Sequence, residues 1–416
     1  MTVVRGDVLI ARPPAEVFDF VADSRHEPLF NPRMTSCELL TVGPVGNGSR
    51  FRAIMRSARR RLPMTVEYTT FDRPRLLASH SEFVGARVDG QLSFEPEGSG
   101  TRMRWHWIVT PPVGLRRLDR VVGLIGQRQE RRIWRSLKEF LEVTASGSVY
   151  VHETGQPGLP AVVFLQGAGA SGDMWRGHMA ELSSQFHCLA LDLPGFGRSN
   201  HLPPLSRLAT AELVADVIRG RVPAGRARVV GLSWGGAITH TLLDRHPELV
   251  DGALIDGAGV LSWRGDKLVL LGIGAVSPFL HTRAVTGLFS RMIGLDAVGR
   301  ADLEASAPRA FRRAFMEGFK TPALPVELKA SCPVLLVAGE KEAHVRPANA
   351  ALASMMPNAI ALFVPGVGHG WMARQSELHI RMVEAWLTGR PLPSELHEEV
   401  PFPTVTERLL RHTGDD

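Results

Sequence analysis

Apolar and polar side chains alternate from Val3 to Ile10, the period-two pattern of a half-buried strand. Pro13-Pro14 follows, and Ala15-Glu16-Val17-Phe18-Asp19-Phe20-Val21 then repeats apolar residues at helical spacing behind a proline suited to a helix's first turn. Strand-like runs occupy Gly48–Met55, Met64–Phe71, Leu76–Phe83, Ala86–Glu95 and Thr101–Val109, with turn sequences such as Glu97-Gly98-Ser99-Gly100 between some of them. This spacing predicts an antiparallel meander. A long helix is predicted from Leu118 to Val143, because Val121, Val122, Leu124, Ile125, Ile133, Trp134, Leu137, Phe140 and Leu141 recur with its period. The first third is therefore α+β. On its last strand Trp105 and Trp107 share one face and His106 takes the other, so the tryptophans either build the core or line a cavity.

The pattern changes after Thr144-Ala145-Ser146-Gly147. Short, wholly apolar runs cover Ala161–Leu165, Phe186–Leu191, Ala227–Val230, Gly252–Ile255, Val334–Val337 and Ala359–Val364, with helical stretches between most of them. Strands of that kind lie in a parallel sheet covered on both faces. Leu268–Phe279, Val285–Ile293 and Ala307–Phe319 read as partly apolar helices, inserted where a cap would cover the sheet. The most apolar stretch, Leu268–Leu280, is about thirteen residues, too short to span a bilayer comfortably. The predicted layout is a first domain over 1–144, a second over 145–392 with a cap at about 258–325, and a Pro-rich tail over 393–416.

Charge adds little to this picture. Residues 1–145 carry 23 Lys/Arg against 16 Asp/Glu, so the basic excess of the chain sits in its first third. A solvated Arg-rich face accounts for it, and no helix-turn-helix, zinc-finger or RNA-binding signature accompanies it, so no nucleic-acid partner is expected. Cys37, Cys188 and Cys332 lie far apart with no CxxC pair, which argues against a disulfide framework or zinc site. Residues 1–12 lack the apolar run of a secretory leader, and a reducing cytoplasm, with no integral membrane association, is the expected setting. Nothing in the sequence sets an oligomeric state.

The candidate chemistry lies in the second domain. Gly231-Leu232-Ser233-Trp234-Gly235-Gly236 directly follows the strand at Ala227–Val230 and opens into the helical stretch Ala237–Arg245. Strand, G-x-S-x-G and helix is the context of a nucleophile elbow, where glycines let strand and helix approach and a strained serine is lifted above the sheet. Val364-Pro365-Gly366-Val367-Gly368-His369 puts a histidine in a Gly-rich loop after the last strand, in the order serine, acid, histidine. His369 would take the Ser233 proton and later deliver it to the leaving group.

These motifs resemble the α/β-hydrolase superfamily, and that resemblance implies further roles. Phe164-Leu165-Gln166-Gly167-Ala168-Gly169 is similar to the loop that supplies one oxyanion-hole N–H, here from Ala168, with the second from Trp234. Gln166 departs from the usual histidine. Asp192-Leu193-Pro194-Gly195-Phe196-Gly197-Arg198-Ser199 resembles another hallmark and reads as a structural turn. In Gly339-Glu340-Lys341-Glu342, Glu342 stands where the family has its acid; Glu340 is a near neighbour, and Asp256, after the next strand, is the alternative. A serine nucleophile implies acyl transfer, in contrast to the aspartate of dehalogenases and epoxide hydrolases of this fold, and requires no metal or organic cofactor. The first domain resembles the START-like superfamily of polyketide cyclases, dehydrases and lipid-transfer domains, on the stretch Ile10–Val21 followed by Ala22-Asp23 and Asn31-Pro32. That resemblance implies a helix-grip fold, with a curved antiparallel sheet around a long C-terminal helix and an apolar cavity.

The expected function is a serine hydrolase of a hydrophobic ester, thioester or related carbonyl substrate, with a second hydrophobic ligand in the first domain. Two alternatives stay open on the sequence: a bifunctional cyclase/dehydrase plus hydrolase, for which no acid/base pair is evident, and an inactive hydrolase fold used for binding.

Overall fold

The computed structural model describes residues 1–57, 60–112, 119–145, 149–258, 282, 285–288, 290, 297–319, 331–343, 345–356 and 358–396. The chain divides into two units, Met1–Ser148 and Val149–Asp416.

The first unit is one antiparallel sheet and a long helix. Its strands are β1 (Thr2–Ile10), β2 (Met34–Leu39), β3 (Arg50–Ser57), β4 (Arg60–Asp72), β5 (Leu76–Phe83), β6 (Ala86–Glu97) and β7 (Gly100–Thr110), in the order β1-β7-β6-β5-β4-β3-β2. Helices α1 (Pro14–Ala22) and α2 (Glu27–Phe30) join β1 to β2, and α3 (Asp119–Ala145) follows β7. Two short elements, α2 and β2, carry too little apolar pattern to be read from sequence; of β2 only Met34 is fully buried.

Helix α3 buries the stripe that its sequence predicts, Ile133, Trp134, Leu137, Phe140 and Leu141, while Leu124 and Ile125 are exposed. It also serves the edge of the sheet. An edge strand leaves backbone groups unpaired, and α3 satisfies those of β1 with side chains. Gln127 Oε1 accepts from Arg5 N–H (3.1 Å) and its amide donates to Arg5 O. Lys138 Nζ donates to Leu9 O (2.9 Å), and Glu142 Oε1 accepts from Ala11 N–H (2.8 Å).

The second unit is a sheet of β8 (Val151–Thr154), β9 (Ala161–Leu165), β10 (His187–Leu191), β11 (Ala227–Leu232), β12 (Val250–Asp256), β13 (Val334–Gly339) and β14 (Ala359–Val364). Their order is β14-β13-β12-β11-β9-β10-β8, parallel except for β8 against β10. Strand β8 went unread in the sequence because four residues, three half-buried and one exposed, give no periodic signal. Helices α4 (Arg176–Leu182), α5 (Arg207–Arg221) and α6 (Trp234–Arg245) precede α7 (Ala297–Ala305) and α8 (Pro308–Phe319). Helices α9 (Val345–Met355), α10 (Trp371–Arg374) and α11 (Ser376–Thr388) close the unit. Every residue of β9, β10 and β13 is buried, as strands covered on both faces require. Parallel strands bring the loops after β9, β11, β12, β13 and β14 to one edge of the sheet, the edge where ligands bind in such folds.

The helix expected at Leu268–Phe279 and the tail beyond residue 396 lie outside the described residues, as do four of the nine residues of the one expected at Val285–Ile293. Helices α7 and α8 pack on the loop after β9. A methyl group added to Gly169 would fall 2.6 Å from Leu303 Cδ1 and 3.2 Å from Phe311 Cδ2. Asp302 accepts from both Ser171 N–H (2.9 Å) and Ser171 Oγ (2.6 Å).

Candidate active site

Ser233 stands between β11 and α6 with φ 51° and ψ −106°, a backbone state that a side chain disfavours. Close packing holds it there. A Cβ on Gly235 would lie 2.1 Å from Leu165 O, and one on Gly231 would lie 2.6 Å from the Gly235 backbone, so only glycine lets the strand, turn and helix meet. Ser233 N–H donates to Asp256 O (2.8 Å), Ala237 N–H donates to Ser233 O (3.0 Å), and Gly235 N–H donates to Gln166 O (3.0 Å). The turn is thereby tied to the ends of β9 and β12, and the positive end of α6 begins at the serine.

Gln166, the departure from the family pattern, is fully buried. With the amide oriented by its hydrogen bonds, its nitrogen donates to Leu191 O (2.5 Å) and its oxygen accepts from Leu193 N–H (2.8 Å). Gln166 thus anchors the loop after β9 to the loop after β10. A Cβ on Gly167 would touch Ser233 Cβ at 3.6 Å, which sets Ala168, the next residue, beside the elbow. Asp192 is fully buried and accepts from Gly172 N–H (2.6 Å) and Arg198 N–H (2.7 Å), the structural role its motif suggests.

His369 and Glu342 form a pair. His369 Nδ1–H donates to Glu342 Oε1 (2.6 Å), and Glu342 Oε2 accepts from Gly339 N–H (2.7 Å), so both carboxylate oxygens are held. This bond leaves Nε2 of the neutral ring as the basic nitrogen. Desolvation works against the His369 charge, but the hydrogen bond and charge of Glu342 outweigh it and raise the imidazole pKa above its ordinary value. Glu340 takes no part in the pair: its Oε2 accepts from Gly366 N–H (2.7 Å), linking the loops after β13 and β14. Gly257, with φ 62°, is the contact point between pair and strand, since a Cβ there would lie 2.8 Å from His369 Nδ1 and 3.5 Å from Glu342 Oε1. Ser233 is bonded to the residue before Gly257, which brings serine and pair to the same strand end. The Ser233–His369 hydrogen bond itself is not formed among the described residues; such contacts often tighten only around substrate.

Asp256, the alternative acid, has a different environment. It is 1% exposed, and neither carboxylate oxygen has a hydrogen-bond partner among the described residues. Burial first, and then the charge of Glu342, push its pKa well above the ordinary carboxylate value. Its Oδ2 lies 3.4 Å from His379 Nε2, and His379 Nδ1 meets His178 Nε2 at 2.7 Å. Burial pulls His379 down to about 3, and burial, with His379 beside it, pulls His178 well below its usual value. Sequence reading missed this buried chain, because His178 and His379 lie on α4 and α11 with no motif to connect them.

The chain is similar to known proteins in both of its parts. Residues 160–284 match the family described as alpha/beta hydrolase fold, and residues 1–142 match polyketide cyclase / dehydrase and lipid transport. An AB hydrolase superfamily protein of Gibberella zeae is 28% identical over 27% of this chain and 40% of its own length, so the chain spans less than half of that relative. A pimeloyl-[acyl-carrier protein] methyl ester esterase of Chromobacterium violaceum is 29% identical over 53% of this chain and 91% of the relative. A carboxylesterase of Bacillus subtilis is 27% identical over 60% and 88%. Among the described residues no helix is long and apolar enough to cross a membrane. Each unit thus resembles a different family, the first the polyketide cyclase/dehydrase and lipid-transport proteins and the second the α/β hydrolases.

Proposed function

We propose that the second unit is a serine hydrolase that transfers the acyl group of a small hydrophobic ester, thioester or related carbonyl compound to water, and that the first unit binds a hydrophobic ligand. The observation that carries this reading is the backbone of Ser233. A non-glycine residue held at φ 51° and ψ −106° by three backbone hydrogen bonds costs on the order of 1–3 kcal/mol, and such strain concentrates at reactive positions.

In this reading His369 Nε2 accepts the Ser233 proton as Oγ attacks the substrate carbonyl. The N–H groups of Ala168 and Trp234 stabilise the tetrahedral oxyanion. His369 then protonates the leaving group, the carbon–leaving-group bond breaks, and an acyl-serine is left. Water, deprotonated by His369, attacks the acyl-serine and releases the acid and the free serine. Glu342 holds the imidazole in the required tautomer and stabilises its charged form; its bond to the ring at 2.6 Å supports it over Asp256, which makes no such bond among the described residues.

The test is turnover of a p-nitrophenyl ester series, from acetyl to long acyl chains, by the intact protein and by Ser233→Ala. Turnover lost in the variant supports the proposal, and its chain-length optimum measures the acyl pocket. Turnover retained in Ser233→Ala, or absent on every ester, contradicts it.

A further inference from the structure

The first unit holds a partly open cavity of about 230 Å³ between sheet and α3. Most of its wall is apolar, with Val66, Leu92 and Ile133 among the lining residues. One end is different: Glu27 from α2 and Glu130 from α3 both line it, with Asn31, Arg33 and Tyr68 beside them. Two carboxyl groups in an apolar cavity are costly unless something there hydrogen-bonds them.

Their partners within the protein satisfy them in part. Glu130 Oε2 accepts from the indole N–H groups of Trp107 (2.9 Å) and Trp134 (2.8 Å). Glu27 Oε1 accepts from Asn31 Nδ2 (2.7 Å). No hydrogen bond to Glu27 Oε2 or Glu130 Oε1 occurs among the described residues. Glu130 on α3 acts electrostatically on Glu27, and Glu27 acts in turn on Tyr68 on β4 and Cys37 on β2. Burial, and then the Glu130 charge against the Asn31 bond, push Glu27 up to about 7. Burial also raises Glu130, against its two indole donors and the charge of Arg33. Arg33 offsets the charge of Glu130, and one oxygen of each carboxyl group still lacks a donor among the described residues. The polar end therefore calls for a hydrogen-bond donor rather than a counter-charge.

We infer that this cavity selects small apolar ligands bearing a hydroxyl group, a phenol or alcohol, whose O–H donates to the free oxygens of the Glu27–Glu130 pair. The inference rests on the ligand-binding reading of the first unit and is independent of the hydrolase chemistry. Bare hydrocarbons leave the carboxyl oxygens unpaired, and ligand carboxylates are repelled by them. The preference strengthens as pH rises and Glu27 becomes a full acceptor.

The test is equilibrium dialysis of the full chain with 2-naphthol, 2-methylnaphthalene and 2-naphthoate, which share one ring system. 2-Naphthol is expected to bind about tenfold or more tightly than the other two, since a site built for a hydroxyl rejects the analogue lacking it. Its affinity should rise severalfold between about pH 6 and about pH 8, and Glu27→Gln should remove that rise. Equal affinity for 2-naphthol and 2-methylnaphthalene in the unaltered protein, which needs no variant to fold, overturns the carboxylate selection while leaving a hydrophobic site. Tighter binding of 2-naphthoate also overturns it. Binding of none of the three overturns both this inference and the ligand-binding reading beneath it.

Discussion

If Ser233 is strained, replacing it with glycine should stabilise the second unit while abolishing turnover. At φ 51° and ψ −106° the side chain costs about 1–3 kcal/mol, which glycine recovers because it has no Cβ. Glycine in turn costs about 0.5–1 kcal/mol in unfolded-state entropy relative to alanine. The difference favours Ser233→Gly over Ser233→Ala by up to about 2.5 kcal/mol. Alanine keeps the Cβ and the strain, so Ser233→Ala should unfold close to the unaltered protein. At about 2–4 °C per kcal/mol for a domain of this size, scanning calorimetry resolves the gap. The two variants are equally inactive, which separates backbone strain from chemistry. Equal midpoints, or a lower midpoint for Ser233→Gly, would refute the claim that the elbow stores strain.

The pair and its neighbour give three further expectations. Glu342→Gln keeps shape but loses charge; kcat should fall by about 10²–10⁴. Because Glu342 raises the His369 pKa, the acid limb of the pH–rate profile should move to lower pH in the variant, and an unmoved limb would count against the pairing. Asp256→Asn should change kcat only severalfold, whereas a loss near that of Glu342→Gln would make Asp256 the acid. Its stability effect has a definite sign: the folded pKa of Asp256 lies above the unfolded one, so wild-type stability is lost as pH rises through the folded value. Urea midpoints should therefore favour Asp256→Asn more at alkaline than at acidic pH. Gly257→Ala inserts a Cβ 2.8 Å from His369 Nδ1 at a φ of 62°; labelling of Ser233 by a fluorophosphonate should slow by about 10²-fold, the cost of a misplaced base.

Much of the fold was legible because its elements bury whole faces. Ala161–Leu165 and Ala359–Val364 were bounded correctly since continuous apolar runs between polar loops admit one reading. Long α3 was equally clear from its stripe. What escaped, β2, β8 and α2, consists of short elements at edges, where half-exposed residues carry no period. Around the candidate site, the G-x-S-x-G context pointed to the strained residue because the glycines are needed for close approach. The pairing of His369 with Glu342 was expected from the family resemblance alone, with Asp256 left open, since it depends on which carboxylate the loops after β13 and β14 bring to the ring. Glu27 and Glu130 were not legible: each sits singly on its own helix, about a hundred residues apart, and only the folded sheet makes them neighbours.

The central claim is that Ser233 is an activated nucleophile. The most direct test is to treat the full chain with a fluorophosphonate and locate the adduct by peptide mass spectrometry. The account predicts one adduct, on Ser233, absent from Ser233→Ala and formed more slowly in Glu342→Gln. No adduct, or an adduct on another serine that persists in Ser233→Ala, would contradict it.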